Sequence, residues 1–162
     1  MEDLTLRAYK QGDVPHMIDI IMEYVPQLPN YKKFTMNRDR IEYVLRHNID
    51  NANAFGCWVL CDTHDVVQGG VAGYCVMSLL SLDFVADDVF FFIMPQYRNL
   101  RHANMLIQVY KDWAISHNAK LIRASHTGGS YREGSKEQAM FDELLNRQGF
   151  RPVGKIFHLD ME

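Results

Sequence analysis

Between Val89 and Leu106 the chain reads VFFFIMPQYRNLRHANML. An apolar run stops at Pro95, the chain turns, and a helix opens at Asn99 or Leu100, with Arg98 and Arg101 at the corner. The first N–H groups of a helix have no intrahelical partner, and the helix dipole adds positive potential there. A strand–turn–helix corner of this kind binds anions, phosphate above all. From Gln96 to Arg123 five bases (Arg98, Arg101, Lys111, Lys120, Arg123) face one acid, Asp112, a net of +4. The whole chain is at −3, so the remainder carries −7. A solvated basic helix face explains the charge equally well. The position at a strand-to-helix turn favours the anion site.

The 162 residues are 48% hydrophobic, a soft prior for one domain with a core of its own, read over 1–162. A net of −3 excludes a general polyanion binder, and Phe90 to Phe92 read as core, not as a base-stacking platform, so no nucleic-acid partner is expected. No apolar run is long enough to cross a bilayer, and the opening Met-Glu-Asp-Leu lacks a signal-peptide pattern. Three cysteines, Cys57, Cys61 and Cys75, argue against a disulfide framework and for a reducing, cytoplasmic setting. Cys57 and Cys61 sit four apart in a strand-like run, about 13 Å at ~3.3 Å per residue, too far to share one metal ion. No metal site is expected.

The elements that position the Arg-rich corner follow from periodicity. Leu4 to Ala8 alternates as a strand does. Asp13 is a candidate helix cap, and Val14, Met17, Ile18, Ile21, Tyr24 and Val25 recur at helical spacing until Pro26. A second helix starts near Asn37. Phe55 to Cys61, Val66 to Leu80 and Leu82 to Met94 read as strands, the last buried on both faces. Gly69, Gly70 and Gly73 point to a bulge or a close backbone approach. Asn99 to Asn118 is the clearest helix. Ala119 to Ser125 is a strand, Thr127 to Gly134 a loop, and Ser135 to Gln148 a helix that begins with a capping box and ends at Gly149. Phe150 to Leu159 closes with a strand. The order β-α-α-β-β-β-α-β-α-β implies an α/β (α+β) fold with a mixed, mostly antiparallel central sheet flanked by helices.

This order resembles the GNAT superfamily of acyl-CoA-dependent N-acetyltransferases along nearly the whole chain, in the manner of small prokaryotic or phage members. The family's pyrophosphate loop follows the fourth strand and reads Gln/Arg-x-x-Gly-x-Gly/Ala. Here it is similar to Arg98-Asn-Leu-Arg101-His-Ala103, led by Pro95-Gln-Tyr97. Phe141-Asp-Glu-Leu-Leu-Asn-Arg-Gln-Gly-Phe150 resembles the family's last helix and its Gly-Phe ending. Two positions depart. Arg101 stands where the loop has its central glycine, and Leu145 stands where many members carry a tyrosine general acid.

The resemblance implies acetyl transfer from acetyl-CoA, the cosubstrate, to a primary amine of a small molecule, peptide or protein. It implies that Ile93 and Met94 hold the pantetheine arm. The N–H groups of Arg98, Asn99, Leu100, Arg101, His102 and Ala103 then hold the pyrophosphate. It places a general base at Asp87, with Asp88 beside it. Adjacent strand residues face opposite ways, so only one of the two faces the cleft; solvated turn acids are the alternative. His126, ending the fifth strand, has a ring whose ordinary pKa near ~6.5 suits proton transfer, or it is a hydrogen-bonded structural group. Tyr131 is a further proton-donor candidate. Asp83, Asp87 and Asp88 together make an acidic mouth for cationic amines. Small members of such families often form homodimers. The departures at Arg101 and Leu145 keep a second reading open, a catalytically degenerate GNAT fold that binds or inhibits a partner protein.

Overall fold

The computed structural model of this chain describes residues 3–28, 31–51, 53–125 and 136–153. Nine elements follow in the expected order: β1 (Thr5–Ala8), α1 (Val14–Tyr24), α2 (Arg38–Asp50), β2 (Phe55–Cys61), β3 (Val67–Met77), β4 (Phe84–Ile93), α3 (Leu100–Ser116), β5 (Ala119–Ile122) and α4 (Lys136–Arg147). The strands form one sheet in the order β1-β2-β3-β4-β5, antiparallel throughout except for the parallel pair β4 and β5. The expected mixed, mostly antiparallel α/β architecture is therefore what forms. The expected last strand is not seen over Phe150–Val153, and its remainder lies outside the described residues, as does Ser135 of the capping box.

Each face of the sheet carries its own core. α3 and α4 place Leu106, Ile107, Tyr110, Trp113, Phe141 and Leu144 on one face, over Leu60, Val71, Cys75 and Ala86. α1 and α2 place Met17, Ile18 and Leu45 on the other, over Val59, Cys61 and Val67. β4 serves both: Phe91 joins the first core, Phe90 and Phe92 the second. This is why its sequence is apolar without alternation. Cys61 is buried and Cys57 half-buried, both free, and burial pushes the Cys61 thiol up to about 11.

Two local readings change. Asp13 precedes α1 but its side chain makes no capping bond to that helix. Its buried carboxylate instead takes a bidentate pair from Arg7 at 2.8 Å and the Lys10 N–H at 2.9 Å. Arg7 Nε then donates to Asp65 in the β2–β3 turn at 2.7 Å, and Lys10 and Arg7 together hold the exposed Asp65 carboxyl down at about 2. An arginine fork matches a carboxylate better than one N–H does, and a buried carboxylate needs a charge partner. Second, β3 stops at Met77, not Leu80. Ser78 N–H donates to the Asp83 carbonyl, and the Ser78 and Ser81 hydroxyls accept from Leu80 and Asp83 N–H, so side chains satisfy the turn. α3 ends at Ser116, within two residues of the expected end, and Asn118 turns the chain at φ 58°, the left-handed conformation that closes a helix.

The glycines of β3 mark the expected bulge. Ala72 pairs with Phe90 but Gly73 with Asp88, so Val89 is the extra residue on β4. Gly73 lies under α3: a Cβ there would stand 2.5 Å from the Tyr110 ring and 2.8 Å from the Asp87 carbonyl. Neither neighbour has room to yield. Gly73→Ala is expected to cost about 1–3 kcal/mol and lower Tm by several degrees in a thermal melt. An unchanged Tm would show that α3 does not press on the bulge.

Candidate active site

The β4–β5 ladder is short. Phe84, Val85 and Ala86 pair with Ala119, Leu121 and Ile122, and the last bond runs from Arg123 N–H to the Ala86 carbonyl at 2.8 Å. Beyond it the strands part. The Asp88 carboxylate stands in the gap and accepts from the Ser125 hydroxyl at 3.2 Å and from the Ser125 main-chain N–H. A side chain thus replaces the ladder at the residue preceding the bulge. From α3, the Tyr110 hydroxyl donates to the Arg123 carbonyl at 2.9 Å and fixes the point where β5 turns away.

The two adjacent acids separate as strand geometry requires. Gly73, opposite Asp88, faces Tyr110 on the α3 side, whereas Tyr74, opposite Asp87, bonds to Asn48 of α2 on the other. Asp87 pairs with Arg123 at 3.3 Å, half exposed. Asp88 lines a cleft with Val71, Phe91, Tyr110, Ser125 and Phe141. Burial raises its carboxyl to about 6, with the Ser125 bonds pulling the other way. Burial likewise pushes the Tyr110 phenol up, so it stays neutral. The cleft is tight: Phe141 packs on Phe91 at 5.0 Å between ring centres, leaving about 10 Å³, room for about one water. Asp83 sits in the β3–β4 turn, five residues and roughly 16 Å along the strand from Asp88. The three acids of the expected mouth are not gathered.

The phosphate corner is partly committed to itself. Asn99 caps α3, its Oδ1 accepting from His102 N–H at 2.8 Å. Ala103 N–H donates to the Asn99 carbonyl and Arg98 N–H to the Pro95 carbonyl. Met94 N–H is taken by the Gln68 carbonyl. Among the described residues no acceptor faces the N–H groups of Leu100 and Arg101. The expected cradle of six amides therefore narrows to the first turn of α3. The His102 side chain is buried, and its Nδ1 lies 2.8 Å from the Tyr97 carbonyl and 2.9 Å from the Asn99 side-chain amide nitrogen. That ring holds the turn from beneath. Arg98 folds back, its Nε donating to the Ile93 carbonyl at 2.9 Å across the edge where β5 has left. Arg101 does not fill the corner: it reaches out to Asp3 and is largely exposed. Beside it a groove of about 330 Å³ runs between α3 and α4, lined by Leu100, Arg101, Asn104, Met140, Glu143 and Arg147.

Leu145 is buried in the α4 core and has no proton to give. His126 and Tyr131 lie outside the described residues. Ser125, Arg123 and Tyr110 escape the sequence reading. Tyr110 fits the apolar stripe of α3, and nothing along the chain marks its hydroxyl, Ser125 or Arg123 as neighbours of the paired acids.

The sequence matches no family model and no curated protein. Its fold is found in solved structures. An acetyltransferase of Trypanosoma brucei superposes with a TM-score of 0.70 at 14% identity, covering 98% of this chain and 100% of that one. Glucosamine-6-phosphate N-acetyltransferase from Arabidopsis thaliana gives 0.69 at 8%, covering 99% and 100%. AAC(6')-Iy, solved in complex with a bisubstrate analogue, CoA-S-monomethyl-acetylneamine, gives 0.66 at 12%, covering 98% of each chain. Identities this low speak for architecture alone. The chain has the GNAT fold.

Because folding raises the Asp88 pKa from 3.8 to about 6, its ionisation destabilises the native state, fully above pH 6 and not at all below about pH 4. Asp88→Asn keeps the acceptor for Ser125 and removes the buried charge. It is expected to stabilise the protein at pH 8 by about 2–3 kcal/mol, the gain fading as pH falls through 6 to 4. Denaturant melts across that range check it; a gain independent of pH contradicts the buried-charge account.

Proposed function

We propose that the chain is a single N-acetyltransferase domain, working in the cytoplasm, that moves an acetyl group from acetyl-CoA to a primary amine of a small molecule, peptide or protein. The observation that carries this reading is the β4 edge that β5 leaves unpaired beyond Ala86: the Asp88 carboxylate stands at its root, and the open N–H groups of Leu100 and Arg101 follow beyond its far end. An anion site and a base on one strand edge are the layout that transfer from a nucleotide-linked thioester needs.

The first turn of α3 takes the pyrophosphate, with the groove between α3 and α4 beside it for the rest of the nucleotide. Arg98, tied to the Ile93 carbonyl, keeps the loop closed on the strand edge and adds charge near the phosphates. The amine nitrogen attacks the thioester carbonyl; the C–N bond forms and the C–S bond breaks. Asp88, poised near pH 6, takes the amine proton, directly or through a water of the size its cleft has room for. Tyr110 already donates to Arg123, and Leu145 has no proton, so the departing thiolate takes its proton from solvent. Asp87 is a positioning group: its ion pair with Arg123 pins β5 beside β4 from the opposite face.

The tightness of the cleft favours a second reading, an inert GNAT-fold binding protein. Phe141 must leave Phe91 before an acyl chain can pass. Calorimetry with acetyl-CoA separates the two: saturable micromolar binding supports the enzyme, and no heat at millimolar ligand sinks it. Arg98→Ala is expected to weaken that binding by about 1.5–3 kcal/mol. In turnover with amine acceptors, kcat/KM should rise with pH through an inflection near 6. Asp88→Asn should lower kcat at least 100-fold and abolish the inflection, with acetyl-CoA affinity kept. Activity retained in Asp88→Asn would assign the base elsewhere.

A further inference from the structure

A second focus of positive charge lies on the other side of the sheet from α3. From Tyr31 to His47 the bases Lys32, Lys33, Arg38, Arg40 and Arg46 stand against two acids, Asp39 and Glu42, a net of +3. With the +4 between Gln96 and Arg123, that leaves −10 for the rest of the chain. Exposed aromatic rings concentrate in the same stretch. Of four among the described residues, Tyr31, Phe34 and Tyr43 lie here, Phe34 64% and Tyr43 57% exposed. The stretch is ordered by bonds of its own. Before α2, Tyr31 N–H donates to the Leu28 carbonyl and Phe34 N–H to the Tyr31 carbonyl, and the two rings lean together at 5.9 Å between centres. Asn37 then caps α2. Along α2, Arg40, Tyr43 and His47 fall three and four residues apart and form one exposed column. The Arg40 guanidinium lies 5.4 Å over the Tyr43 ring, which stacks on the His47 ring at 5.6 Å and 6°. Leu45, on the other face of the helix, is in the core, so the column is presented to solvent.

We infer that this surface docks an acidic protein segment with apolar side chains between its acids. Aromatic rings and arginine are the groups that concentrate binding energy at protein interfaces: a ring offers rigid apolar area, and an arginine fork matches a carboxylate. Arg38 and Arg46 are already committed, to Asp19 at 3.0 Å and Glu42 at 2.8 Å. Among the described residues no carboxylate pairs with Lys32 or Arg40, and Arg40 is held over a ring. Cations beside exposed rings fit carboxylates spaced by apolar groups. The −10 elsewhere turns an acidic segment away from most of the molecule, so charge complementarity directs it here. A nucleic acid is a poorer occupant, because the same −10 repels a polyphosphate and both faces of Tyr43 are covered, by Arg40 and His47. An anionic lipid surface asks for a larger cluster of bases than the two left unpaired. The surface lies on the α2 side and the Asp88 cleft on the α3 side, so the inference stands whatever the chain catalyses.

Fluorescence polarisation of the full chain with a labelled peptide of four Glu-Glu-Leu repeats tests it, a Gln-Gln-Leu peptide serving as the uncharged twin. The acidic peptide is expected to bind with a micromolar Kd that weakens as salt is added, and the twin about tenfold more weakly or worse. Replacing Lys32 and Arg40 together by Glu is expected to weaken the acidic peptide by at least about tenfold and to create binding of a Lys-Lys-Leu peptide, a gain that a misfolded chain does not show. Phe34→Ser, at an exposed position, should weaken the acidic peptide several-fold with an unchanged circular dichroism spectrum. No binding of the acidic peptide at millimolar protein overturns the inference, and so does equal affinity for the twin or an affinity that the charge reversal leaves unchanged. Tighter binding to oligothymidylate or to phosphatidylserine vesicles, or self-association of the wild type that the charge reversal abolishes, gives the surface another occupant and overturns it as well.

Discussion

The carboxylate of Asp88 does in this protein what main-chain hydrogen bonds do elsewhere in the sheet. Parallel strands β4 and β5 share only three register pairs and one further bond before they separate. At that point Ser125 bonds to a side chain instead of to the β4 backbone. The substitution keeps the strands joined at the root of the fork while freeing the β4 edge above it. The acid is left partly desolvated, which sets its proton affinity. Structure and reactivity are therefore one constraint: the group that opens the sheet is the group whose charge the interior resists.

Two supports keep this arrangement from collapsing. The bulge at Val89 lets Asp88 face the cleft while Asp87 faces the other side, and Gly73 gives the bulge the space it needs under Tyr110. Tyr110 then clamps β5 through the Arg123 carbonyl as Arg123 clamps Asp87 through its side chain. The corner at the start of α3 is built the same way, with Asn99, His102 and the folded-back Arg98 satisfying the loop internally. Only the first-turn amides, which no helix can satisfy by itself, remain to meet an anion.

Much of this was legible in the sequence. The stripe of α3, the unbroken apolar centre of β4 and the glycines of β3 each report a local rule, and each element forms where its rule places it, within a few residues. The errors cluster where a polar side chain had a choice of partner. Asp13 looked like a helix cap because a cap is the nearest use for it; Arg7, brought alongside by the β1–β2 pairing, offered two bonds and a charge. Leu79, Leu80 and Leu82 looked like strand because they are apolar, but the Ser78 and Ser81 hydroxyls close a turn around them. The acids at 83, 87 and 88 looked like one cluster because they are near in sequence, yet pleat and bulge send them in three directions.

By itself the sequence determined the periodicities, the positions of the turns, the focus of positive charge at the start of the long helix, and through these the fold class. Those depend on neighbours a few residues apart. Which of two adjacent aspartates enters the cleft, and that Ser125 and Tyr110 belong to the same site, were decided only by the tertiary structure. Each depends on groups 15 to 40 residues apart, joined by a one-residue bulge that pattern alone does not locate, and a shift of one residue in a strand reverses every side chain that follows it.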